Sequence, residues 1–409
     1  MKFRNFYFKL YTLLTLIVSS CCEPKEISSS YSQLSLNVPS ISQARSMVMD
    51  STRYNIVESI SLSIPEGIGD IAKTPVFCRN QIYILDTNYE NVLVFDTQGN
   101  FLYKMGGKGH ARNEIIGTIR TFDIDRHTGY VHIYNREGAK ILVYDDKGTF
   151  VKSVFLKQCF PSYICLNSKG DGYIASCDCM STEKGNTKLV MMDVAGNITN
   201  TILETLEVNN ITCEGVNTRP LYSDHKGNIT YLPMLSDSLI VLSGDTVSNV
   251  IKMSFDDGFV SQSVMEQSKS DGHTPKEGRI HFITKALVND HLVLVEFIGK
   301  PDSEQFASNY TYVYNRETGE TYYQRGYMGF EKMLGSVRSI DEDSFVVLVS
   351  EDDVLELENL FKCEKSQMTY SPKYADIENF ASELYVKLSV DAITRKIKVP
   401  LLVKVKVKW

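Results

Sequence analysis

The residues in this sequence that could do chemistry are scattered along the chain. The seven histidines, at positions 110, 127, 132, 225, 273, 281 and 291, show neither the His-Glu-x-x-His spacing of a zinc site nor any other metal-ligand spacing. No serine lies in the Gly-x-Ser-x-Gly turn of a serine hydrolase. Carboxylates are abundant, but a glycosidase pair is defined by the distance between two of them. The sequence has no catalytic signature, and we assign no catalytic residue from it.

The nine cysteines are spaced irregularly and form no Cys-x-x-Cys pair of the kind found in zinc ribbons and thioredoxin-like sites. Cys177 and Cys179 would point to the same face of a strand, so they could form a metal or redox pair. We favour buried thiols that pack as small hydrophobic groups. An oxidising compartment would permit disulfides, whose pairing the sequence leaves open.

Three polar residues end strand-like runs at comparable places in the chain, namely Asp86, Asn135 and Asp178. Oxygen ligands from several repeats could hold a divalent cation if they met on one axis. Because no cluster of further ligands surrounds them in the sequence, we expect no metal and no cofactor.

The composition is that of a folded, acidic protein. The chain has 409 residues, of which 43% are hydrophobic and 23% charged, and this balance excludes intrinsic disorder. Its formal net charge is −7, because 50 acidic residues outnumber 43 basic ones. Such a surface repels a phosphate backbone, so we expect no nucleic-acid partner.

The first 20 residues have the features of a lipoprotein signal peptide. Basic residues precede a short apolar stretch at 10–18, which is too short to span a bilayer. It ends in Val-Ser-Ser-Cys, a sequence that resembles the bacterial lipobox, with Cys21 as the lipidated residue. Cys22 fits this position less well, and an ordinary secretory signal with an incidental cysteine is the alternative. Residues 21–56 are interpreted as the lipidated cysteine and a polar tether.

The chain after the tether is a repeat. Gly99 and Gly148 lie 49 residues apart in similar Asp-x-x-Gly turns between apolar runs, and Gly196 and Gly244 follow at intervals of 48. In such a turn the Asp side chain caps the hairpin and the glycine takes a positive φ. We therefore interpret Gly99, Gly148 and Gly196 as structural turn residues.

A period near 48 residues with about four short strands per copy is typical of a β-propeller. The sequence predicts an all-β fold, a six-bladed β-propeller with four-stranded antiparallel blades over residues 57–409. Two insertions are expected, at about 256–277 and 351–388, and the second has helical spacing. Residues 403–409 alternate Val and Lys, which predicts a strand that closes the ring, with a buried valine face and a lysine face in water.

Together, the lipobox, the tether, the repeats and the closing run that begins at Pro400 resemble the six-bladed β-propeller lipoproteins of Bacteroidetes, whose blades are similar to NHL repeats. Members often carry a Gly-x-x-Gly-x-Gly-Pro-Gly-Glu loop after the first blade. This chain keeps Gly106, Gly109 and Glu114 of that loop but has Ala-Arg-Asn in place of Gly-Pro-Gly. The acidic residues after Cys22 resemble the export signal of surface lipoproteins in these bacteria.

The resemblance implies a cellular location and an architecture. It places the protein at the outer membrane, held there by its N-terminal lipid (palmitate among the acyl chains), on the periplasmic or the cell-surface side. Two classes of function remain open. We favour a non-enzymatic platform that binds a protein or a glycan through loops on a rigid scaffold. The alternative is a metal-dependent enzyme of the lactonase or lyase kind, which some six-bladed propellers are.

Overall fold

The fold is all-β. The computed structural model describes residues 31–44, 54–65, 71, 75–177, 188–204, 220–224, 226–233, 236–259, 280–301, 307–325, 337–349 and 401–409. These residues form six four-stranded antiparallel blades arranged as a six-bladed β-propeller, as the repeats predict. The single helical turn within them is the 3-10 turn Ile41–Gln43. No helix in this part of the chain is long and apolar enough to cross a membrane.

Each blade is built from four consecutive strands, except for the last one. Two strands precede the blades: β1 (Ser32–Val38) and β2 (Tyr54–Ser61). Blade 1 comprises β3 (Val76–Cys78), β4 (Gln81–Asp86), β5 (Asn91–Asp96) and β6 (Phe101–Gly106). Blade 2 comprises β7 (Ile119–Ile124), β8 (Val131–Asn135), β9 (Lys140–Tyr144) and β10 (Phe150–Phe155). Blade 3 comprises β11 (Tyr163–Leu166), β12 (Gly172–Ser176), β13 (Lys188–Asp193) and β14 (Ile198–Glu204).

The remaining blades repeat this order. Blade 4 comprises β15 (Leu221–Ser223), β16 (Ile229–Tyr231), β17 (Ser238–Ser243) and β18 (Thr246–Phe255). Blade 5 comprises β19 (Ile280–Val288), β20 (Leu292–Gly299), β21 (Ser308–Asn315) and β22 (Thr321–Arg325). Blade 6 takes β23 (Val337–Asp341), β24 (Ser344–Val349) and β25 (Leu401–Val407) from the C-terminal part of the chain and β2 from the N-terminal part.

The middle strands are continuous apolar runs because each blade is covered on both faces by its neighbours. In β4, Ile82 and Ile84 pack against residues of blade 6, including Val346. The intervening Tyr83 and Leu85 join a cluster with blade 2. The period of 2 along a strand therefore sends alternate side chains into two different interfaces between blades.

Blade 6 closes the ring. Strand β25 lies between β24 and β2 and is antiparallel to both. The C-terminal strand thus closes the ring, as predicted, and the strand that joins from the other end of the chain is the outermost, β2.

The predicted lysine face of β25 is wrong for Lys404. Its side chain is only 19% exposed, and its Nζ lies 2.9 Å from Glu58 Oε2 and 2.8 Å from Asp341 Oδ2. The same ammonium lies 4.9 Å from the ring centre of Phe77 in blade 1. The reason is that β25 is an inner strand of its blade, so both of its faces meet neighbouring residues.

Strand β1 adds a fifth strand to blade 4. It pairs in parallel with β18 along all seven residues, from Ser32 opposite Asn249 to Val38 opposite Phe255. Leu36, Val38 and Ile41 are buried in the core shared by blades 4 and 5. Part of the segment interpreted as a tether therefore packs on the propeller.

Several sequence predictions fall outside the described residues. They are the signal peptide with Cys21, most of the insertion at 256–277, and all of the insertion at 351–388 with its helical spacing.

Candidate functional site

The three turn glycines occupy the same turn in three successive blades. Gly99, Gly148 and Gly196 lie between the third and fourth strands of blades 1, 2 and 3, with φ of 83°, 80° and 83°. In each turn the Gly N–H donates to the carbonyl of the preceding aspartate at 3.0–3.1 Å. That aspartate's Oδ1 accepts from the backbone N–H groups two and four residues later, at 2.7–3.0 Å. These carboxylates are occupied by the hairpins they cap.

Asp86 and Asn135 hold backbone segments beside the second strands of their blades. Asp86 is fully buried, and its Oδ1 accepts from the N–H groups of Asn88 and Tyr89 at 3.0 and 3.3 Å. The equally buried Asn135 accepts from Ile116 N at 3.1 Å and donates to the carbonyls of Ile116 and Thr118 at 2.6 and 3.0 Å. The two residues therefore occupy equivalent positions in blades 1 and 2, and each holds a neighbouring backbone segment in place.

Both metal candidates that the structure describes are engaged with backbone groups. Both amide donors of Asn135 are used by backbone carbonyls, so its carbonyl oxygen is oriented by the chain around it. Asp178, the third candidate, lies outside the described residues. Among the residues that the structure does describe, no three His, Cys, Asp or Glu side chains are close enough together to hold a metal ion.

The central channel is crossed by side chains. The guanidinium of Arg126, in the turn after β7, reaches from blade 2 to blade 4, where it donates to Asp224 O and lies 3.4 Å from Ser223 Oγ. Tyr222 of blade 4 reaches blade 6, where its hydroxyl accepts from Ile340 N at 3.1 Å. A backbone N–H of the innermost strand β23 is thereby satisfied by a side chain from another blade.

The space left around these crossing side chains is small. It has a volume of about 30 Å³ and is bordered by Arg126, Tyr222, Asp341 and neighbouring residues of blades 1, 2, 4 and 6. Small-molecule sites usually occupy about 300–1,000 Å³. This pocket between blades 1, 2, 4 and 6 has room for water but not for a substrate.

The connection between blades 1 and 2, residues 107–118, forms a shaped loop. Gly106 has φ +87°, and a Cβ there would lie 2.9 Å from Glu90 O. A Cβ on Gly109 would lie 1.9 Å from Glu114 Oε2, which accepts a hydrogen bond from Ala111 N at 2.8 Å. The two glycines and the glutamate that this chain shares with the family motif are therefore the residues that shape the loop.

Blade 2 binds the carbonyl groups of this loop. Lys140 Nζ lies 3.4 Å from Ala111 O and 3.3 Å from Arg112 O. Ser153 Oγ also donates to Arg112 O, at 2.9 Å, and the hydroxyl of Tyr144 donates to Asn113 O at 2.8 Å. Burial lowers the pKa of Lys140, and the Glu114 carboxylate opposes that shift. The loop backbone is held at three successive carbonyls.

Several side chains of this loop face solvent. Lys108, His110 and Arg112 are exposed, and Lys108 Nζ donates to Asn88 O at 2.8 Å, which places it beside the turn that carries Tyr89. The Tyr89 side chain is 51% exposed. We call Tyr89, Lys108, His110 and Arg112 the loop surface. It combines cationic groups with an aromatic ring on a fixed backbone.

In the part of the chain that the structure describes, six blades and an exposed connecting loop define a six-bladed β-propeller. Sequence comparison then places the chain more closely. It belongs to the family described as Domain of unknown function (DUF4934), whose profile matches residues 68–383. No curated protein matches the chain.

Two solved structures from Bacteroides are similar to the propeller. One is a protein of Bacteroides fragilis inferred to be exported; it is 15% identical, the match covers 92% of this chain and 100% of that one, and the TM-score is 0.67. The other, a member of the DUF4221 family from Bacteroides vulgatus, is 9% identical over 88% of this chain and 99% of that one, with a TM-score of 0.47. The first likeness supports the propeller fold.

Sequence reasoning missed the residues that bridge distant blades and those that fix the loop. Arg126 and Tyr222 form hydrogen bonds with residues 98 and 118 positions away, and a local sequence pattern does not indicate such pairs. For Lys140 a weak signal was present, because a lysine at the start of an apolar strand must bring its charge to an acceptor.

Proposed function

We propose that this protein is a lipoprotein of the cell envelope whose propeller, with blades similar to NHL repeats, is a binding platform for a protein or a glycan. In this proposal the N-terminal lipid at Cys21 anchors it to the outer membrane, on the periplasmic or the surface side. Support for an extracytoplasmic location comes from the lipobox and from a propeller of the same fold that is inferred to be exported.

One observation carries the binding role: the loop of residues 107–118 has a fixed backbone and exposed side chains. A rigid loop loses little conformational entropy when a ligand binds, so its contacts contribute more fully to affinity. The pocket between blades 1, 2, 4 and 6 is too small for a substrate, so it offers no competing site at that place.

The chemistry of the loop surface favours an anionic ligand. Arg112 and Lys108 can form charge-assisted hydrogen bonds with carboxylates or sulfates. The exposed ring of Tyr89 can pack on an apolar face of a sugar or of a side chain. Within a protein of net charge −7, a local group of basic residues is a place where an acidic partner can approach.

The binding test is the double variant Lys108→Ala/Arg112→Ala on an array of neutral and acidic glycans. We expect wild-type protein to bind acidic glycans and the variant to bind at least about tenfold more weakly, because two charge-assisted contacts are lost. The control is Lys147→Ala/Lys169→Ala, which removes two exposed lysines from turns at the opposite ends of the strands. Equal affinity of both variants would contradict a role for the loop surface.

The anchor is tested by Cys21→Ala with metabolic palmitate labelling. We expect loss of the label and release of the protein from the membrane fraction, because Cys21 is the lipobox cysteine. Cys22→Ala is the matched control and should keep both. A label that persists in Cys21→Ala would assign the lipid to another residue.

The metal-enzyme alternative is separated from binding by chelation. If a divalent ion stabilised the folded protein, its removal would lower the Tm and adding it back would restore it. We expect no change in Tm with a chelator. Asp86→Ala and Asn135→Ala are unsuitable for this test, since their loss removes structural hydrogen bonds whether or not a metal binds.

A further inference from the structure

Two cysteines of blade 3 lie in contact. Cys159 belongs to the connection that precedes β11, and Cys177 directly follows β12. Their thiol groups are joined by a hydrogen bond, and both side chains pack against the core between blades 2 and 3. Cys159 Sγ also lies 3.8 Å from Met192 Sδ. The structure records both as thiols.

Blade 2 has a comparable contact at the equivalent place. Cys177 follows Cys159 by 18 residues, and Asn135 follows Gly117 by the same 18. In blade 2 the Asn135 amide bonds to Ile116 and Thr118, the two neighbours of Gly117. In both blades a side-chain contact links the end of the second strand to the connection that enters the blade. Blade 2 makes this contact with the hydrogen bonds of Asn135, and blade 3 makes it with two cysteines.

The other described cysteines lack this arrangement. Cys78 and Cys165 are buried, at 8% and 4% exposure, and they pack in different clusters between blades. Cys159 and Cys177 are both partly exposed, so an oxidant can reach them.

We infer that Cys159 and Cys177 form a disulfide bond in the mature protein, which fastens the incoming connection of blade 3 to the end of β12. The inference rests on the extracytoplasmic location proposed above, since disulfides persist in oxidising compartments. Each thiol loses its proton and the pair loses two electrons to form the S–S bond. A disulfide of a small molecule or an oxidoreductase accepts the electrons and becomes two thiols.

The contact also prepares the pair for exchange. The hydrogen bond from Cys177 lowers the pKa of Cys159, against the opposing effect of burial. A lowered pKa increases the fraction of thiolate, which is the species that attacks a disulfide.

The direct test is peptide mapping of full-length protein recovered from the cell envelope and alkylated without reduction. We expect a linked pair of peptides that contain Cys159 and Cys177, which separate when a reductant is added before digestion. Alkylation of both thiols, or a bond from Cys177 to Cys179 or any other cysteine, would overturn the inference.

A second test separates the geometry from the location. Purified reduced protein is incubated with oxidised glutathione, and its Tm is measured with and without reductant. We expect the bond to form and reduction to lower the Tm by several degrees. Cys159→Ala and Cys177→Ala should each abolish this reductant-dependent shift, and Cys78→Ala should keep it.

The outcomes differ in what they contradict. Failure to form the bond with oxidised glutathione would overturn the disulfide and leave the proposed binding role untouched. If the disulfide forms in vitro but the protein from the envelope carries free thiols, the disulfide is overturned for the mature protein. Fractionation of the cells would then test the proposed location independently.

Discussion

His132 shows how an interface between blades sets the behaviour of one titratable group. It lies on β8, and its Nδ1 is 2.9 Å from the hydroxyl of Tyr173 in blade 3. The two rings meet edge to face, with centroids 5.6 Å apart. Burial lowers the pKa of His132 to about 4, although the Asp125 carboxylate acts to raise it, and Lys152 adds to the lowering. The imidazole is therefore neutral in the folded protein at neutral pH.

The depressed pKa predicts a specific loss of stability in acid. Between pH 6.5 and 4 the unfolded chain takes up a proton at this histidine that the folded protein does not, so the free energy of unfolding falls as the pH falls. A shift from 6.5 to about 4 is worth up to about 3 kcal/mol. Urea unfolding at pH 7 and pH 4.5 measures it.

The variant that isolates this effect is His132→Gln, which should show a weaker dependence of stability on pH over that range. His110→Gln, at an exposed position of the loop surface, is the control and should follow the wild-type curve. Identical pH profiles for wild type and His132→Gln would show that His132 is not the group responsible.

At the scale of the strands, Lys404 links the closing blade to itself and to blade 1. Burial acts to lower the pKa of Lys404, but its hydrogen bonds with Asp341 and Glu58 are strong enough to raise it. The ammonium joins β25 to the innermost strand β23 and the outermost strand β2. It contributes stability while protonated and loses that contribution as the pH rises through its raised pKa.

Replacing Lys404 by Met should destabilise the ring, because Asp341, whose side chain is 25% exposed, loses its charged partner, and the more exposed Glu58 loses it as well. We expect a loss of about 1–3 kcal/mol in the free energy of unfolding, measured by denaturant titration. Lys406→Met is the matched control on the same face of β25. Its partner Asp343 and Lys406 itself are each 43% exposed, so that change should cost less than about 1 kcal/mol.

The strands of the blades could be predicted from the sequence because they depend on local patterns. Apolar runs and Asp-x-x-Gly turns recur at a fixed period, and each is caused by residues within a few positions of one another. Strand β1 was missed because four of its seven residues are polar, two serines, a glutamine and an asparagine. The alternation of Leu34, Leu36 and Val38 was nevertheless a strand signal, and these residues are the ones turned toward the core.

The candidate site could be predicted only in outline. The sequence drew attention to Gly106, Gly109 and Glu114 through a motif, and the structure explains them as the residues that shape the loop. The groups that hold the loop from blade 2, such as Tyr144, act across 31 residues, and their pairing depends on how two blades pack. Contacts of this kind follow from tertiary structure, which a single sequence does not display.

At the scale of the whole molecule, β1 lies outside the six blades and covers the outer edge of β18. The double variant Leu36→Asp/Val38→Asp should detach it, since two side chains that are 3% and 0% exposed would become charged. We expect the six blades to stay folded by circular dichroism, with a lower Tm and a tendency to associate through the uncovered edge.

The matched control is Ser35→Asp/Asn37→Asp, which places the same charges on the exposed face of β1. It should leave the Tm and the monomer elution volume in gel filtration near the wild-type values. Equal effects of the two variants would mean that β1 is not held by its apolar face.

The order of β1 and β2 along the chain has a mechanical consequence. A pulling force applied at the N-terminal side reaches β1 before β2, the strand whose pairing with β25 closes the ring. A pull along the strand axis must shear the seven-residue ladder between β1 and β18 as a unit. The tension is then borne by an accessory strand of blade 4, and the closure of blade 6 stays unloaded until that ladder breaks. If the propeller is anchored to a membrane at this end, a bound partner can pull on it without opening the ring.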